Sequence, residues 1–353
     1  MTDARVLHVL PHHGGGAETY IDLLEKIEGF SHARVALSAG RTPAAGAASI
    51  APRYPGVARR ILGADVVHVH GDAATMLALP LLTLRPSVWT THGLHLLRRV
   101  DGPARALSSR ALRRAIAMTA RTVCTSQAEH DELLALVGGN AGADHGLRVV
   151  RNGIDPSPLP SAEQRAVARA DLDLQSDELI VLFLGELDGR KRPLDAIAAT
   201  ERARAAGAPV VLLVAGDGPQ RDAVVERASE GVHVLGHVRD VTPLLSAADV
   251  LVMPSEREGL SFAVLEAMGA GLALVVSDGR GNPEAVGEAG LVLALGDVPA
   301  LADALVALAG DRDELRRLGA AARARVTTTL MAAHLRDGVA DAYREALGRS
   351  SSA

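Results

Sequence analysis

The sequence predicts an α/β protein made of two parallel-sheet domains. Three observations support this fold class. Short apolar runs alternate with Ala-, Leu- and Arg-rich helical stretches, the alternation continues through all 353 residues, and one proline-rich segment interrupts it near the middle. A chain of this length can bury two separate hydrophobic cores.

Six apolar runs in the first half have the length and composition of buried strands. They cover residues 5–10, 34–38, 65–70, 87–91, 121–125 and 147–150. The segment that follows, Pro156-Ser-Pro-Leu-Pro160, contains too much proline for a helix or a central strand, so it marks the interdomain linker. Residues 1–157 are therefore predicted to form the first domain.

Six further apolar runs follow the linker and predict a second sheet. They cover residues 179–185, 209–216, 232–235, 249–253, 272–278 and 291–294. Residues 158–329 are predicted to form this second domain, and the two domains are expected to face a cleft. The last helical stretch, about 330–347, carries Tyr343, and this aromatic side chain predicts that the helix docks on a domain.

Composition narrows the class of protein. Hydrophobic residues make up 48% of the chain, but no apolar run approaches the roughly twenty residues that a membrane-spanning helix needs. The net charge of −5 disfavours general nucleic-acid binding. No signal peptide precedes the first strand, and the single cysteine, Cys124, lies in an apolar run. These features predict a cytoplasmic protein with a buried free thiol.

Two glutamates bracket the start of a predicted helix, 261–268, that follows a buried strand and has Ser261 near its N-cap. The N–H groups of residues 260–262 and the helix dipole suit a phosphate. Carboxylates do not bind phosphate, so Glu258 and Glu266 suit the hydroxyls of a sugar ring and a ribose. The simpler alternative is a solvated loop acid and a helix-surface acid.

A basic loop follows the first strand of the second domain. It contains three consecutive cations, Arg190, Lys191 and Arg192, just before Pro193 and a predicted helix. Arginine forks and a lysine point charge fit a diphosphate, although a solvated basic turn remains the alternative. Residues 236–238 follow a short strand of the same sheet, where backbone groups could pair with a flat base.

A glycine-rich turn, residues 12–19, follows the first strand and opens a helix, so a ligand could approach its backbone. A tight βα turn is the structural alternative. The turn does not match Gly-x-Gly-x-x-Gly, because Thr19 stands in place of the third glycine, and no Walker A motif occurs. A nicotinamide-dependent dehydrogenase is therefore disfavoured.

Histidines near strand ends raise the possibility of a metal site. They include the pairs His68-x-His70 and His92-x-x-His95, but no cysteine or carboxylate joins them at zinc-ligand spacing. We expect neither a metal ion nor another cofactor.

The stretch 94–121 is strongly basic. It holds seven arginines and one acid, Asp101, with leucines and an isoleucine between them. This pattern predicts contact with an anionic membrane surface or an anionic acceptor. An ordinary surface helix with a solvated face is the alternative.

In combination, these blocks resemble the retaining glycosyltransferases of family 4, which have the GT-B fold of two Rossmann-like domains. The resemblance covers nearly the whole chain and is most specific in the second domain. The blocks there are Gly216-Asp-Gly-Pro, Val234-Leu-Gly-His-Val-Arg-Asp, Leu244-Leu-Ser-Ala-Ala-Asp-Val, Pro254-Ser, Glu258-Gly-Leu-Ser-Phe-Ala-Val-Leu-Glu-Ala-Met and Gly279-Arg-Gly-Asn-Pro-Glu. The first domain adds Gly14-Gly-Gly-Ala-Glu, Asp65-Val-Val-His-Val-His, Thr91-His, Thr125-Ser and Asn152-Gly-Ile-Asp.

The resemblance implies roles for individual residues. Glu258 would bind hydroxyls of the donor sugar, Glu266 the ribose, Lys191 the phosphates, and His92 would lie near the sugar. It also implies that the last helix crosses back to the first domain. The candidate catalytic residues are Glu258, Lys191 and His92. The candidate donor-binding residues are Gly15, Gly16, Arg190, Arg192, Gly236, His237, Val238, Gly259, Leu260, Ser261, Phe262 and Glu266.

One position departs from the family pattern. The family typically has an arginine directly after the strand glycine, where this chain has Glu186. A carboxylate beside a diphosphate would repel it. We therefore expect Arg190 or Arg192 to supply the missing cation.

The resemblance implies transfer of a hexosyl group from a nucleoside-diphosphate sugar to an acceptor hydroxyl, with UDP favoured and GDP next. The acceptor is a small molecule or is linked to a lipid, and the basic stretch allows peripheral contact with the inner membrane face. Two alternatives remain: a nucleotide-sugar 2-epimerase of the same fold, and a carbohydrate-binding relative without catalytic activity.

Overall fold

The computed structural model describes residues 3–12, 16–38, 53–95, 97, 102–138 and 146–348. The chain divides into two compact units. The first comprises Met1–Asn152 with Ala332–Ala353, and the second comprises Gly153–Met331. The division thus falls at Asn152, a few residues before the boundary placed from the sequence.

The first unit contains a six-stranded parallel sheet. Its strands are β1 (Ala4–Leu10), β2 (Phe30–Ala36), β3 (Val66–His70), β4 (Ser87–Thr90), β5 (Arg121–Cys124) and β6 (Leu147–Val149). Their order across the sheet is β2-β1-β3-β4-β5-β6. The direction of strand addition therefore reverses between β1 and β3, and such a switch point is where α/β sheets bind ligands.

The second unit repeats this architecture with another six-stranded parallel sheet. Its strands are β7 (Leu179–Leu184), β8 (Val210–Ala215), β9 (Val232–Gly236), β10 (Val250–Met253), β11 (Ala273–Ser277) and β12 (Leu291–Leu293). The order is β12-β11-β10-β7-β8-β9. This is the strand order of the Rossmann fold, with its switch point between β7 and β10.

Helices connect the strands in both units. They are α1 (Gly16–Leu24), α2 (Tyr54–Leu62), α3 (Gly71–Ala78), α4 (Gly102–Met118), α5 (Gln127–Val137), α6 (Ala162–Ala170), α7 (Pro193–Ala205), α8 (Arg221–Arg227), α9 (Thr242–Ala247), α10 (Phe262–Gly269), α11 (Asn282–Val286), α12 (Val298–Gly310), α13 (Arg312–Thr329) and α14 (Ala332–Ala346), with a 3₁₀ turn at Leu79–Leu81. Among the described residues, no helix combines the length and hydropathy needed to cross a membrane.

The predicted fold class is confirmed, and all twelve predicted strands are present. The one substantial error concerns β2, which starts at Phe30 instead of residue 34. This strand lies at the edge of its sheet and alternates between half-buried and exposed residues, so its first half shows no apolar run. The central strands are buried on both faces, as expected where helices cover a parallel sheet on both sides.

The last helix, α14, belongs to the first unit, where its Tyr343 is fully buried. The Tyr343 hydroxyl lies 2.6 Å from His68 Nδ1. Glu345 on the same helix accepts from Arg121 at 2.5 Å and from Arg148 at 2.6 Å. The docking predicted from Tyr343 is confirmed. The predicted burial of the Cys124 thiol in β5 is confirmed as well.

Asp249 anchors the second sheet at the amino end of β10. This buried carboxylate contacts three arginines from two helices: Arg169 at 2.7 Å, Arg312 at 3.7 Å, and Arg165. It also accepts a hydrogen bond from the backbone N–H of Ile180 at 2.8 Å. Helices α6 and α13 are thereby held at the amino ends of the strands, whereas the predicted ligand-binding loops lie at the carboxyl ends.

Candidate functional site

The predicted binding loops of the second unit converge at the switch point of its sheet. The loop after β7 and the loop after β10 are neighbours, because these two strands pair directly. The backbone after β11 packs closely against the loop after β10, and this contact requires glycine. Gly281, at φ 86°, lies so close to the loop that an added Cβ would stand 2.3 Å from the Gly259 carbonyl oxygen. This close contact restricts the conformation of the loop after β10.

Four charged side chains meet at this point, and one of them, Asp188, has its Oδ2 3.5 Å from Arg190 Nε. Lys191 Nζ lies 2.8 Å from Glu258 Oε1, and Arg190 Nη1 lies 3.3 Å from the same oxygen. The side chains are almost enclosed, with 10% of Lys191, 15% of Arg190 and 8% of Glu258 exposed. The structure thus brings Glu258 to two consecutive cations that lie far from it in the sequence.

Hydrogen bonds to the backbone fix the loops that carry these side chains. Asp188 Oδ1 accepts from the Lys191 N–H at 2.8 Å, and the Glu256 N–H donates to the Arg190 carbonyl at 2.9 Å. The Glu258 N–H donates to the Arg280 carbonyl at 2.6 Å. The backbone that carries the charged side chains is therefore held by hydrogen bonds, which limits the reorganisation needed when a ligand binds.

The protonation state of Glu258 follows from its neighbours. Burial by itself would raise the pKa of this carboxyl, but the charges of Lys191 and Arg190 outweigh burial and hold the pKa below its ordinary value. Glu258 is therefore ionised at neutral pH and can only accept hydrogen bonds.

Helix α10 begins beside this cluster, with Ser261 at its N-cap as predicted. The Ser261 side chain makes no capping hydrogen bond. The first N–H groups of an α-helix have no acceptor within the helix, and the helix dipole favours an anion in front of them. Gly259, Leu260 and Phe262 lie in this same stretch, and their binding of an anion stays a prediction.

Glu266 lies within α10 and is half-buried. Burial raises the pKa of its carboxyl to about 7. Among the described residues, none donates a hydrogen bond to this carboxylate. Glu258 and Glu266 thus differ in environment, since Glu258 is buried beside cations, whereas Glu266 is desolvated and has no donor among the described residues.

The remaining predicted residues of the second unit also lie at the carboxyl end of a strand in this sheet. Gly236 ends β9 at φ 69°, and its carbonyl accepts from the Gly216 N–H at 2.7 Å. His237 is exposed and Val238 is half-buried.

The two candidate arginines are placed differently. Arg190 reaches Glu258, whereas Arg192 turns away, with its Nε 2.6 Å from Asp195 Oδ2. Glu186, whose side chain is 53% exposed, lies 3.9 Å from Arg190. Of the pair named from the sequence, Arg190 is the one that reaches Glu258.

In the first unit, His92 follows β4 in a left-handed conformation, at φ 51°. Its Nε2 lies 3.0 Å from His70 Nδ1, and its ring meets Tyr20 edge-on at 4.7 Å. Burial lowers the pKa of His92 to about 3. Gly16 is the first residue of α1, whereas Gly15 lies outside the described residues.

Two groups in this region escaped the sequence-based reasoning. The first is the buried Glu129, which accepts hydrogen bonds from the Thr125 N–H at 2.8 Å and from the Thr91 hydroxyl at 2.5 Å. It thereby fixes the residue before His92. Its signal was the Ser126-x-x-Glu129 pattern, which is typical of a helix start.

The second group is a pair of histidines that complete a cluster of imidazole rings. His8 and His32 join His68, His70 and His92 on one face of the first sheet. The period-two alternation of a strand would have placed His68 and His70 on one face, but it does not reveal which strands are neighbours.

The basic stretch forms helix α4 over 102–118. It buries Leu112 and Ile116, and Leu107 is 68% exposed. Its arginines at 105, 110, 113 and 114 are exposed, and the helix contains no acidic residue. The residues at 96 and 98–101 lie outside the described part of the chain.

Sequence comparisons agree with this architecture. Residues 178–311 match the family "Glycosyl transferases group 1", and residues 13–158 match "Glycosyltransferase Family 4". The chain is 32% identical over 315 residues to alpha-maltose-1-phosphate synthase of Mycolicibacterium smegmatis, covering 80% of this chain and 79% of the relative. It is 31% identical over 278 residues to glycogen synthase of Mycobacterium tuberculosis, covering 75% of this chain but only 64% of that relative.

Solved structures share the fold at lower identity. Anabaena HepE in complex with UDP-glucose superposes with a TM-score of 0.78 at 19% identity, covering 96% of this chain and 98% of that one. The glycosyltransferase WaaG, involved in lipopolysaccharide biosynthesis, gives a TM-score of 0.72 at 18% identity, covering 95% and 98%. Both support the predicted GT-B fold. With the family matches and the Mycolicibacterium relative, they show that the chain belongs to the group 1, family 4 glycosyltransferases.

Proposed function

We propose that the protein transfers a hexosyl group from a nucleoside-diphosphate sugar to an acceptor hydroxyl, with retention of the anomeric configuration. One observation carries the proposal. Lys191, Arg190 and Glu258 form a buried, ion-paired cluster at the switch point of the second sheet, beside the start of α10. This combination offers cations and N–H groups to a diphosphate and a carboxylate to sugar hydroxyls.

The diphosphate would be bound by Lys191, Arg190 and the N–H groups at the start of α10. Negative charge grows on the leaving phosphate as the bond from the sugar breaks. Cations held in a nearly enclosed site stabilise that charge more strongly than they would in water. Their tight placement by the loop frame means that little reorganisation is needed during the reaction.

The two carboxylates would bind hydroxyl groups of the donor. Ionised Glu258 accepts hydrogen bonds and is close enough to Lys191 to orient the sugar relative to the phosphates. Glu266, which lacks a donor among the described residues, suits the two hydroxyls of a ribose, and those hydroxyls would favour its ionised form. His92 keeps the role that the family resemblance implies, a contact with the donor sugar.

The chemical step can be written without a protein nucleophile. The acceptor oxygen forms a bond to the anomeric carbon on the face from which the phosphate leaves, while the bond from that carbon to the phosphate oxygen breaks. The acceptor proton passes to the departing phosphate oxygen. Lys191 and Glu258 are paired with each other, so their contribution is positioning and charge stabilisation.

UDP is the favoured nucleotide. HepE, which shares the fold, is solved in complexes with UDP and with UDP-glucose, and the backbone at 236–238 would recognise the base. GDP is the second choice, because backbone recognition gives no side-chain preference.

The acceptor is proposed to be a small molecule or a lipid-linked molecule. The exposed arginines of α4 favour an anionic partner, including the headgroup region of an anionic membrane, where each arginine near the surface contributes about 1 kcal/mol. Peripheral membrane association of this kind requires no membrane-spanning segment.

Transfer is tested by incubating the protein with UDP- and GDP-sugars and a panel of sugar, polyol and lipid-linked acceptors, and by determining the product anomer with ¹H NMR. We expect a product with the donor's anomeric configuration. Inversion would contradict the mechanism. Epimerised donor formed without acceptor would indicate a 2-epimerase, and donor that is neither transferred nor slowly hydrolysed would indicate a binding protein.

A further inference from the structure

Four histidines of the first unit form a continuous chain of hydrogen bonds. His32 Nδ1 lies 2.9 Å from His8 Nε2, and His8 Nδ1 lies 2.9 Å from His70 Nε2. His70 Nδ1 then lies 3.0 Å from His92 Nε2. Each interior ring therefore uses both of its nitrogens, and the chain leads from the edge strand to the residue that the family resemblance places near the donor sugar.

The register of the sheet explains this geometry. Val6 pairs with His32, and His8 pairs with His68. Paired residues of a parallel ladder share a face, as do residues two apart in one strand. Each step of the chain, from His32 to His8 and from His8 to His70, crosses to the neighbouring strand and advances two residues towards its carboxyl end. The chain therefore runs diagonally over one face of the sheet.

All four rings are held in the neutral state. Burial lowers the pKa of His8 and His70 well below the ordinary value, lowers that of His92 to about 3, and lowers that of His32. The positive charge of Arg34 adds to the effect on His8, His32 and His70. A neutral imidazole has one N–H and one acceptor nitrogen. The three hydrogen bonds must therefore all run in the same direction.

The end of the chain sets that direction. His32 Nε2 is buried and has no partner among the described residues. A buried N–H without an acceptor is rarer in proteins than a buried acceptor without a donor, so the proton of His32 belongs on Nδ1. We propose that His32, His8 and His70 each donate towards His92 and thereby fix its proton on Nδ1, which makes His92 an N–H donor to an oxygen of the bound donor sugar.

A metal site is the competing explanation, because His8, His68 and His70 have ring nitrogens within 4.8 Å of one another. The nitrogens of His68 are already bonded, to the Tyr343 hydroxyl at 2.6 Å and to Thr90 Oγ1 at 2.7 Å. Those of His8 and His70 are used within the chain. A divalent cation at this position would break these hydrogen bonds, so the hydrogen-bonded chain is favoured.

The inference rests on the proposed function in one respect, since it takes His92 as a group that contacts the donor sugar. His70 is then a positioning residue that acts through His92, and His8 and His32 hold His70 in one tautomer. The described residues provide no partner for His92 Nδ1, so its proton remains available to a ligand.

The wild-type protein, labelled with ¹⁵N in its histidine rings, tests the chain directly. Two-bond ¹H–¹⁵N correlation spectra near neutral pH show which nitrogen of each ring is protonated, and couplings across N–H···N bonds identify the links. We expect protonated Nδ1 in His32, His8, His70 and His92. A proton on His92 Nε2, or stoichiometric zinc in the purified protein, would overturn the inference.

Variants at position 70 test its effect on turnover. His70→Leu should lower kcat about tenfold, the size of one net hydrogen bond, with little change in the KM for the donor and with a mixed tautomer at His92. His70→Asn should restore most of the activity, because its amide N–H can reach His92 Nε2. The control is His68→Leu, which removes an equally buried ring from the same strand and face and should leave the His92 tautomer and kcat unchanged.

The outcomes separate the two proposals. Equal loss of kcat in His70→Leu and His68→Leu would overturn the positioning role while leaving the transfer reaction intact. If the wild type transfers no sugar at all, the proposed function fails, and the wild-type spectrum still decides the direction of the chain. If His70→Leu does not fold, the wild-type spectrum still decides the direction of the hydrogen-bonded chain.

Discussion

The two sheets of this protein place polar groups at their switch points in opposite ways. In the second sheet, between β7 and β10, the buried groups are charged: Glu258 lies 2.8 Å from Lys191 and 3.3 Å from Arg190. In the first sheet, across β1 and β3, they are neutral rings, with His8 and His70 joined at 2.9 Å. The architecture is shared, whereas the chemistry of the buried groups differs.

The difference shows what allows a charge to remain inside a protein. Glu258 stays ionised because cations of opposite sign lie within hydrogen-bonding distance. His8 and His70 have other rings and the cation Arg34 near them, so burial drives them to the neutral form. The second sheet therefore holds paired ionic side chains at its switch point, and the first holds directional hydrogen bonds between neutral rings.

The largest expected effect comes from removing the lysine of the charged cluster. Lys191→Met should lower kcat/KM for a UDP-sugar by about 10²–10³-fold, as expected for loss of one preorganised charge at the leaving group. Steady-state kinetics and calorimetric titration with UDP measure it. Arg192→Met is the matched control, because it removes the neighbouring cation that pairs with Asp195, and it should cost little. Similar losses in both variants would show that the cluster has no special role.

The next effect separates orientation from binding. Glu258→Gln keeps the size of the side chain but removes its charge, and we expect kcat to fall by about 10²-fold while the Kd for UDP changes much less. The variant also leaves Lys191 without its carboxylate partner, so circular dichroism should accompany the kinetics. An equal loss of turnover and UDP affinity would reduce Glu258 to a binding residue.

A smaller effect should appear in the pH dependence of UDP binding. The pKa of Glu266 is raised from 4.5 to about 7. Its contribution to the stability of the unliganded protein is therefore fully present below pH 4.5 and is lost as the pH rises through 7. Ribose hydroxyls favour the ionised form, so UDP affinity should rise about tenfold between pH 6 and pH 8. Titrations at several pH values measure it. In Glu266→Gln, any rise that remains must come from the nucleotide itself, and an unchanged tenfold rise would contradict the role of Glu266.

The smallest effect concerns the exposed arginines of α4 on the surface of the first domain. Arg113→Ala should weaken binding to vesicles of anionic phospholipid by about fivefold, the equivalent of roughly 1 kcal/mol per arginine. Flotation with anionic and zwitterionic vesicles measures it. Wild-type protein that binds neither kind of vesicle would remove the membrane from consideration.

The sequence allowed the strands to be placed but left the contacts between them undetermined. Arg190, Lys191 and Glu258 could each be assigned to a loop after a strand, because apolar runs end there. Their meeting depends on the direct pairing of β7 with β10, and nothing in the local sequence specifies that order. The resemblance to a known family supplied the expectation of a shared site.

The histidine chain shows the same limit more clearly. His8 and His32 lie on separate strands, and only the register that pairs Val6 with His32 and His8 with His68 brings their rings into line. The half-exposed start of β2 concealed His32 further, since this part of the strand has no apolar run. Periodicity predicts faces within a strand, whereas contacts across a sheet require its register.

The most direct test of the charged site is thermal unfolding of the purified protein with UDP, GDP, dTDP, ADP and NAD, each near millimolar concentration. A ligand at a hundred times its Kd adds about 2.7 kcal/mol to the free energy of unfolding. We expect a clear rise in Tm with one nucleoside diphosphate, UDP first, none with NAD, and loss of the rise in Lys191→Met. No rise with any nucleoside diphosphate, or an undiminished rise in Lys191→Met, would contradict a nucleotide site at the junction of β7 and β10.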